Sequence, residues 1–349
     1  VNKDGLIETV GSGEPRIDFK DDANGALLLE PQRTNQMINS EDLTGWIIQA
    51  GATVTLESIN NPVNSTNANL ITVNTNGVYA NRNTPDVSAL YSVSFWLHKN
   101  NESGTIQLTN AQGGTLGDWT INLDLLQNDF VRITRDHSSV TVITEFTTLA
   151  SGEIAPFFKS PTGTKSFYVT GLQLEPSYAT SYIPTQGSTV TRLTDSCSQT
   201  VPDGVIGQTE GTVLVEFVNK INNESGEHNM LFTIYDSSNQ SIYVAKRNPT
   251  GIEISAGTGA YVYLPSGIFD VDGKTYKMAI GYKQDDFVVY INGVQIWSEN
   301  SGTIPFSNAN NFSLGSYYDQ SLKFNSKINK SSIYNTRLSN AELQKLTTI

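Results

Sequence analysis

Short runs in which apolar and polar residues alternate recur along the whole chain, and Gly, Asn, Asp, Ser and Pro separate them. Alternation with a period of two places successive side chains on opposite faces of a β-strand. Many short strands divided by turn residues are typical of β-sandwiches. We therefore predict an all-β protein with two antiparallel β-sandwich (jelly-roll) domains in tandem, an irregular N-terminal arm and a short C-terminal helix.

Two strands in the first half have assignable faces. Residues 91–98 alternate, which predicts one face for the core (Tyr91, Val93, Phe95, Leu97) and the opposite face for Ser92, Ser94, Trp96 and His98. In residues 167–175 the apolar phase changes between Val169 and Leu172. A β-bulge at Gly171 would reconcile the two phases.

The second half carries the clearest local patterns. Residues 287–291 and 294–297 flank Asn292-Gly293, a pair that tolerates the positive φ angles of a type I′ hairpin turn. Ser339 and Glu342 form a capping-box pattern, which predicts a short helix with Leu343 and Leu346 on its inner side. The rest of this half is predicted to be strands.

A chain of 349 residues is long enough for about two domains. Gly and Pro interrupt every periodic pattern before residue 34, although the apolar run at 26–31 could add a strand or pack on the first core. Residues 185–210 are poor in aromatic residues, which indicates a boundary. The predicted organisation is an irregular arm at 1–34, a jelly roll at 35–192, a linker at 193–210 and a second sandwich at 211–349.

The charge balance narrows the range of partners. Lys and Arg number 22 against 34 Asp and Glu, a formal net charge of −12, and only 16% of the residues are charged. An acidic chain with few cations is unsuited to a phosphate backbone, so we expect no nucleic-acid partner. No apolar run approaches 18 residues, so we expect no membrane insertion. Because the chain opens with Val1-Asn2-Lys3 and has no apolar signal region, we expect a fragment or a processed product.

Residues 211–218 (GTVLVEFV), 272–296 (DGKTYKMAIGYKQDDFVVYINGVQI) and 312–346 resemble a laminin-G/concanavalin A-like domain. The most diagnostic stretch is a strand that ends in an Ile-Tyr-Asn-x-x-Leu-Ser-x-x-Glu turn, matched here by Ile333, Tyr334, Asn335, Leu338, Ser339 and Glu342. The family's usual Trp-His after Asp-Gly is replaced by Thr275-Tyr276. The resemblance implies a lectin-like fold for residues 211–349.

A second resemblance covers LLLEPQRTN at 27–35, SVSFWLHKN at 92–100 and GLQLEPSYATSYIPTQGSTVTR at 171–192. These segments look like parts of bacteriophage and prophage structural proteins, in which they bracket a carbohydrate-binding-module-like jelly roll displayed on tail fibres, collar or head. The resemblance therefore implies such a module at 35–192. The resemblance implies a virion-surface, extracellular location. It also implies other virion proteins and host or environmental polysaccharide as partners, with a homo-oligomer such as a trimer.

Patterns of catalytic residues are weak. A glycosidase needs two carboxylates on one face, but Glu216 stands alone in its predicted strand. A polysaccharide lyase would need Arg, His and Tyr on neighbouring strands, and Arg135-Asp136-His137 lies at a predicted turn. The three histidines have no zinc spacing, and Cys197 has no nucleophile signature. We therefore expect no enzymatic activity.

Calcium is a candidate cofactor, because loop carboxylates are the oxygen ligands it prefers. The chain offers two pairs of loop aspartates for this role, Asp270 with Asp272 and Asp285 with Asp286. The alternative is that these residues simply favour turns.

Sugar recognition needs aromatic faces for the apolar side of a pyranose together with amide and hydroxyl groups for its hydroxyls. The candidates are Trp96, His98 and Trp119 in the first domain and Tyr261, Tyr263, Tyr317 and Tyr318 in the second. For Trp96 the alternative is that the arm or another subunit covers it, and for the tyrosines the alternative is packing.

Three hypotheses follow. The first is a non-enzymatic virion adhesin that binds glycans. The second is a polysaccharide depolymerase with unrecognised catalytic groups. The third is a structural spacer that binds no sugar.

Overall fold

The computed structural model describes residues 1–63, 66–79, 82–83, 90–110, 119–135, 146–147, 153–176, 178–220, 228–247 and 250–349. They form two compact units. The N-terminal unit comprises residues 4–9 and 32–193, and the C-terminal unit comprises residues 1–3, 10–31 and 194–349.

The secondary structure of the described residues is almost entirely β. Up to residue 192 the strands are β1 (Ile17–Asp18), β2 (Ala26–Leu29), β3 (Arg33–Asn35), β4 (Ile47–Ile48), β5 (Thr53–Ser58), β6 (Asn67–Val73), β7 (Val78–Tyr79), β8 (Arg82–Asn83), β9 (Leu90–His98), β10 (Thr105–Asn110), β11 (Trp119–Asn122), β12 (Val131–Arg135), β13 (Phe146–Thr147), β14 (Glu153–Ile154), β15 (Pro156–Lys159), β16 (Lys165–Pro176) and β17 (Val190–Arg192), with a 3₁₀ turn at Leu123–Leu125.

The remaining elements belong to the C-terminal unit. They are β18 (Cys197–Thr200), β19 (Glu210–Val218), β20 (His228–Tyr235), β21 (Ser241–Arg247), β22 (Gly251–Gly257), β23 (Ala260–Leu264), β24 (Thr275–Lys283), β25 (Asp286–Ile291), β26 (Val294–Glu299), β27 (Asn311–Leu314), β28 (Ser326–Tyr334) and α1 (Asn340–Thr347). The predicted all-β class with a short C-terminal helix is confirmed. Within the described ranges, no helix is long and apolar enough to cross a membrane.

The N-terminal unit is a sandwich of two antiparallel sheets. One sheet has the order β12-β9-β16-β6-β5, with β13 also paired to β9, and the other has the order β11-β10-β15-β7-β4. Phe158 of the second sheet packs edge-on against Phe95 and Phe167 of the first, with ring centroids 5.1 and 6.0 Å apart. One core cluster therefore joins the two sheets.

Strand β9 has the predicted faces, because Tyr91, Val93, Phe95 and Leu97 all lie in that core. The predicted bulge is also confirmed. The pairing of β16 with β9 shifts between Thr170 and Gln173, and Gly171 has a φ of +62°. A Cβ at this position would lie 2.6 Å from the Trp96 ring, so the close approach requires glycine.

The C-terminal unit is a second sandwich. Its sheets have the orders β1-β2-β28-β19-β24-β25-β26 and β18-β27-β20-β21-β22-β23, and one core cluster fills the space between them. The predicted hairpin joins β25 to β26, with φ values of +49° at Asn292 and +79° at Gly293. Helix α1 begins at the predicted capping box and packs Leu343 on the outer face of the seven-stranded sheet.

The segment expected to be an irregular arm contains strands. Strand β2 pairs with β28, and Leu29 is buried in the core of the C-terminal unit. Arg16 donates hydrogen bonds to Glu30 at 2.8 Å and to Asp195 at 2.6 Å. The apolar run at 26–31 therefore adds a strand to the C-terminal sandwich, because only there do Leu27 and Leu29 meet an apolar surface left open by β28.

The segment expected to be a linker also contains regular structure. Strand β18 pairs with β27 through Cys197↔Leu314 to Thr200↔Asn311. The half-buried Cys197 packs against the core, and burial raises the pKa of its thiol. The polar sequence Cys-Ser-Gln-Thr has little strand propensity of its own, so its partner strand, more than 100 residues away, determines this conformation.

Candidate functional site

The outer face of the six-stranded sheet in the C-terminal unit carries a set of polar and aromatic side chains. Strand register places Tyr243 opposite Ser255 and Ser255 opposite Tyr261, and it places Glu253 opposite Tyr263. The intervening residues, Ile252, Ile254 and Val262, face the core. Because side chains alternate along a strand, the first set must point away from the core.

The loop after β27 lies on this same face. Thr233 of β20 donates a hydrogen bond to the backbone oxygen of Ser316 at 3.0 Å. The Tyr317 ring meets the Tyr243 ring edge-on at 5.3 Å, and it lies 4.2 Å from the Tyr318 ring. Tyr318 in turn lies 6.2 Å from Tyr235 of β20. We call the resulting array the tyrosine surface; its members are Tyr235, Tyr243, Tyr261, Tyr263, Tyr317 and Tyr318.

Two of these rings are open to solvent. Tyr261 is 57% exposed and Tyr263 is 42% exposed, and both lie on β23 at the edge of the sheet. The other four rings are half-buried. Aromatic rings that are partly exposed in such an array offer both an apolar face and a hydroxyl to a ligand.

A buried carboxylate lies among the tyrosines. Glu253 is only 4% exposed, and it accepts a hydrogen bond from the Tyr243 hydroxyl at 2.8 Å and another from Arg247. The Arg247 guanidinium lies 5.0 Å from the centre of the Tyr263 ring, and Nε2 of His228 lies 3.9 Å from Oε2 of Glu253. The carboxylate is therefore held in one orientation by a phenol and a guanidinium.

The protonation states of this cluster follow from burial and from Glu253. Burial and the hydrogen bond to Glu253 raise the pKa of Tyr243, and burial with the nearby carboxylate raises the pKa of Tyr261. Burial also raises the pKa of Tyr317. Burial and the positive charge of Arg247 lower the pKa of His228. At neutral pH the phenols therefore keep their protons and the imidazole is uncharged.

The sequence candidates in the second domain are brought together here. Tyr261, Tyr263, Tyr317 and Tyr318 come from a strand and a distant loop and share one face. The sequence analysis missed Tyr235, Tyr243, Arg247 and Glu253, and it considered His228 only as a zinc ligand. Alternation in residues 241–247 and 251–257 would have placed Tyr243, Arg247 and Glu253 on the outer face.

The Trp96 candidate has a different environment. Trp96 does face away from the core of the N-terminal unit, but it is only 6% exposed. Tyr182 packs edge-on against its ring at 5.3 Å, and the Arg132 guanidinium lies 5.0 Å from it. Arg132 also donates a 2.6 Å hydrogen bond to the Thr180 carbonyl, which anchors the covering segment. A ring covered in this way offers no face to a pyranose, and the cover is a segment of the same unit rather than the arm or another subunit.

The two other candidates of the first domain also make contacts within it. His98 accepts a 3.1 Å hydrogen bond from the Asn100 backbone and packs against Phe130 and Tyr168. Trp119 meets Phe95 edge-on at 6.4 Å and packs against the core. Asp136 and His137 of the weighed lyase pattern lie outside the described residues.

The four candidate calcium ligands do not converge. Asp270 and Asp272 precede β24 and Asp285 and Asp286 follow it, so this nine-residue strand, about 27 Å long, separates the pairs. Asp270 accepts a 2.9 Å hydrogen bond from Tyr276, and Asp286 pairs with Arg337 at 2.8 Å. Among the described residues, no group of three or more His, Cys, Asp and Glu could hold a metal ion.

Residues 193–344 match the family model described as the concanavalin A-like lectin/glucanases superfamily. Together with the two packed sheets, this match supports a concanavalin A-like β-sandwich fold for this stretch, in agreement with that part of the resemblance seen in the sequence. Among curated protein sequences, none matches this chain.

Several solved structures are similar to parts of the chain. The CBM40 of the Ruminococcus gnavus IT-sialidase, bound to α2,3-sialyllactose, is 18% identical over 44% of this chain and 92% of that chain, with a TM-score of 0.37. Domain 4 of the Geobacillus stearothermophilus arabinanase AbnA, in complex with arabinotriose, is 18% identical over 46% and 73%, with a TM-score of 0.32. A heptameric pentraxin from Limulus polyphemus is 14% identical over 43% and 70%, with a TM-score of 0.31.

Proposed function

We propose that this protein is a non-enzymatic surface protein of a bacteriophage virion and that it binds host-surface or environmental glycans through the tyrosine surface. The observation that carries the proposal is the open aromatic face around Glu253, with Tyr261 and Tyr263 exposed on it. Tyrosine rings pack against the apolar faces of pyranose rings, and hydroxyl and carboxylate groups hydrogen-bond to sugar hydroxyls. The virion setting is supported by the resemblance of residues 27–35, 92–100 and 171–192 to phage structural proteins.

Multivalency supports the same role. A shallow surface of this kind binds each sugar weakly, so attachment depends on several copies acting together. The proposal therefore includes a homo-oligomer, such as a trimer, held on the particle by other virion proteins. A monodisperse monomer in light scattering would contradict the oligomer.

The experiment uses the purified chain and surface polysaccharides from candidate host bacteria. Retention of the protein and the appearance of new reducing or unsaturated chain ends are measured in the same samples. We expect retention without new chain ends. Neither retention nor cleavage on a demonstrated host would contradict glycan binding and favour a structural spacer.

Cleavage would favour the alternative of a polysaccharide depolymerase. The observation that favours this alternative is the grouping of Tyr243, His228 and Glu253, which are residue types that serve as acids or bases in enzymes, beside the Arg247 cation. Against it, the Tyr243 hydroxyl is engaged as a hydrogen-bond donor to Glu253, and its raised pKa opposes a role as base. Glycosidases also require a second carboxylate across the scissile bond.

A further inference from the structure

The charge of the tyrosine surface is balanced internally. Arg247 is bonded to Glu253, so their charges offset each other, and His228 is uncharged at neutral pH. Among the described residues of this face, the Glu253 carboxylate is fixed in place, and the neighbouring Arg247 guanidinium is already bonded to it.

The tyrosine surface is longer than a single sugar ring. The row Tyr243, Ser255, Tyr261 crosses three neighbouring strands, which is about 9.6 Å between its ends. Tyr317 extends the row at the Tyr243 end through its edge-on contact. A ligand that touches both ends must contain more than one pyranose unit, and its middle lies over Ser255 and Glu253.

We infer that the tyrosine surface selects uncharged oligosaccharides and that Glu253 is the residue that sets this selectivity, an inference that rests on the proposed glycan binding. Hydroxyl groups of a neutral sugar pair with the exposed Tyr261 and Tyr263 hydroxyls, while the buried Glu253 carboxylate holds the Arg247 guanidinium. A carboxylate or sulfate on the sugar would meet a guanidinium whose charge Glu253 already offsets, so it would lose hydration without gaining an ion pair. The net charge of −12 adds repulsion at longer range.

The selectivity depends on which partner Arg247 has. In Glu253→Gln the amide oxygen still accepts from Tyr243, but the negative charge is gone and the guanidinium loses its ion-pair partner. Arg247 then has the planar donor geometry that binds carboxylates. The substitution is therefore expected to change the charge class of the ligand rather than only to weaken binding.

The test uses immobilised neutral oligosaccharides and their uronic counterparts, in which the C6 hydroxymethyl group is oxidised to a carboxylate. The wild-type chain is expected to prefer the neutral members. Glu253→Gln is expected to bind the uronic members at least about fivefold more tightly than wild type does, with weaker binding to the neutral members. Salt is fixed at a physiological concentration so that screening is the same in every measurement.

Glu216→Gln is the matched control. Glu216 lies on β19 of the other sheet, 3.8 Å from Lys277, so the variant loses the same unit of charge away from the tyrosine surface. It is expected to keep the wild-type preference. If both variants change the preference between neutral and uronic oligosaccharides equally, the change is an effect of net charge and the inference is overturned.

The remaining outcomes are distinct. A wild-type chain that prefers uronic oligosaccharides overturns the inference and leaves glycan binding intact, whereas retention by no glycan contradicts the proposed function itself. If thermal unfolding shows that Glu253→Gln is not folded, Arg247→Gln replaces it. That variant leaves Glu253 without its cation and is expected to strengthen the discrimination against uronic sugars; unchanged discrimination would count against the inference.

Discussion

Leu29 lies directly beneath Gly315, although 285 residues separate them in the sequence. A Cβ added to Gly315 would lie 2.3 Å from Cδ1 of Leu29, and Gly315 has a φ of +69°. Gly315 begins the loop that carries Tyr317 and Tyr318, and Phe324 donates a backbone hydrogen bond to it at the loop's end. Strand β2, near the start of the chain, therefore supports the loop that completes the tyrosine surface.

Leu29→Ala tests this support. Leu29 is buried in the core, so the substitution is expected to lower the free energy of unfolding of the C-terminal unit by about 2–4 kcal/mol. It should also weaken glycan retention, because the loop loses the side chain on which it rests. Urea unfolding and glycan retention measure the two effects. The exposed Leu125→Ala in the N-terminal unit is the control, expected to change stability by less than about 0.5 kcal/mol.

Tyr261→Ala and Trp96→Ala should have opposite effects. Tyr261 is exposed, so its loss is expected to weaken glycan retention about fivefold or more with little change in stability. Trp96 is covered by Tyr182 and Arg132, so its loss is expected to cost about 3–5 kcal/mol of stability. Retention assays and thermal unfolding on both variants check this. A folded Trp96→Ala that loses retention beside an unaffected Tyr261→Ala would move the binding site to the N-terminal unit.

Calcium removal is expected to leave glycan retention unchanged. Asp285 accepts a hydrogen bond from the Gly302 backbone at 3.1 Å and Asp286 pairs with Arg337, so each carboxylate already has a partner in another segment of the unit. Retention is measured after dialysis against a chelator and again after calcium is restored. A loss that calcium reverses would assign one of the aspartate pairs to a metal site.

Local patterns in the sequence were enough to predict the elements that short-range chemistry determines. The Asn292-Gly293 hairpin, the bulge at Gly171 and the capping box of Ser339 and Glu342 each depend on residues close together in the chain. The apolar run at 26–31 was considered as a strand, but its pairing with β28 was not predicted, because that partner lies more than 100 residues away. Strand β18 was not predicted at all, because its residues have too little apolar alternation to indicate a strand without the distant β27.

In the candidate site, too, features set by local sequence could be predicted, and features set by contacts between distant residues could not. Tyr261 and Tyr263 could be assigned to one face from their spacing, whereas the approach of Tyr317 to Tyr243 depends on how a loop folds over the sheet. Trp96 was placed correctly on the outer face of its strand. Its covering segment, anchored by the hydrogen bond from Arg132 to Thr180, follows from a pairing between distant strands that alternation does not reveal.

The burial of one lysine, Lys246, makes the stability of the chain depend on pH. Lys246 faces the core side of β21 opposite Ile252, is only 1% exposed, and donates a hydrogen bond to the Lys220 carbonyl. Burial lowers its pKa to about 8, with the Lys220 charge acting in the same direction and the Asp272 carboxylate opposing it. Above pH 8 the folded chain has therefore lost a proton that the unfolded chain, with a lysine pKa near 10.5, still binds. Because the unfolded state binds more protons in this interval, stability contributed by this group rises with pH.

Comparison of the wild-type chain with Lys246→Met isolates this effect. The free energy of unfolding of wild type, relative to that of the variant, is expected to rise between pH 7.5 and 9.5 by on the order of 2 kcal/mol. The interval ends below pH 10, where the raised pKa values of Tyr243 and Tyr282 begin to lower stability in both proteins. Lys283→Met, which removes a half-exposed lysine from the same unit, is the control for the loss of a positive charge. A difference between wild type and Lys246→Met that stays constant across the interval would show that Lys246 keeps its proton in the folded chain.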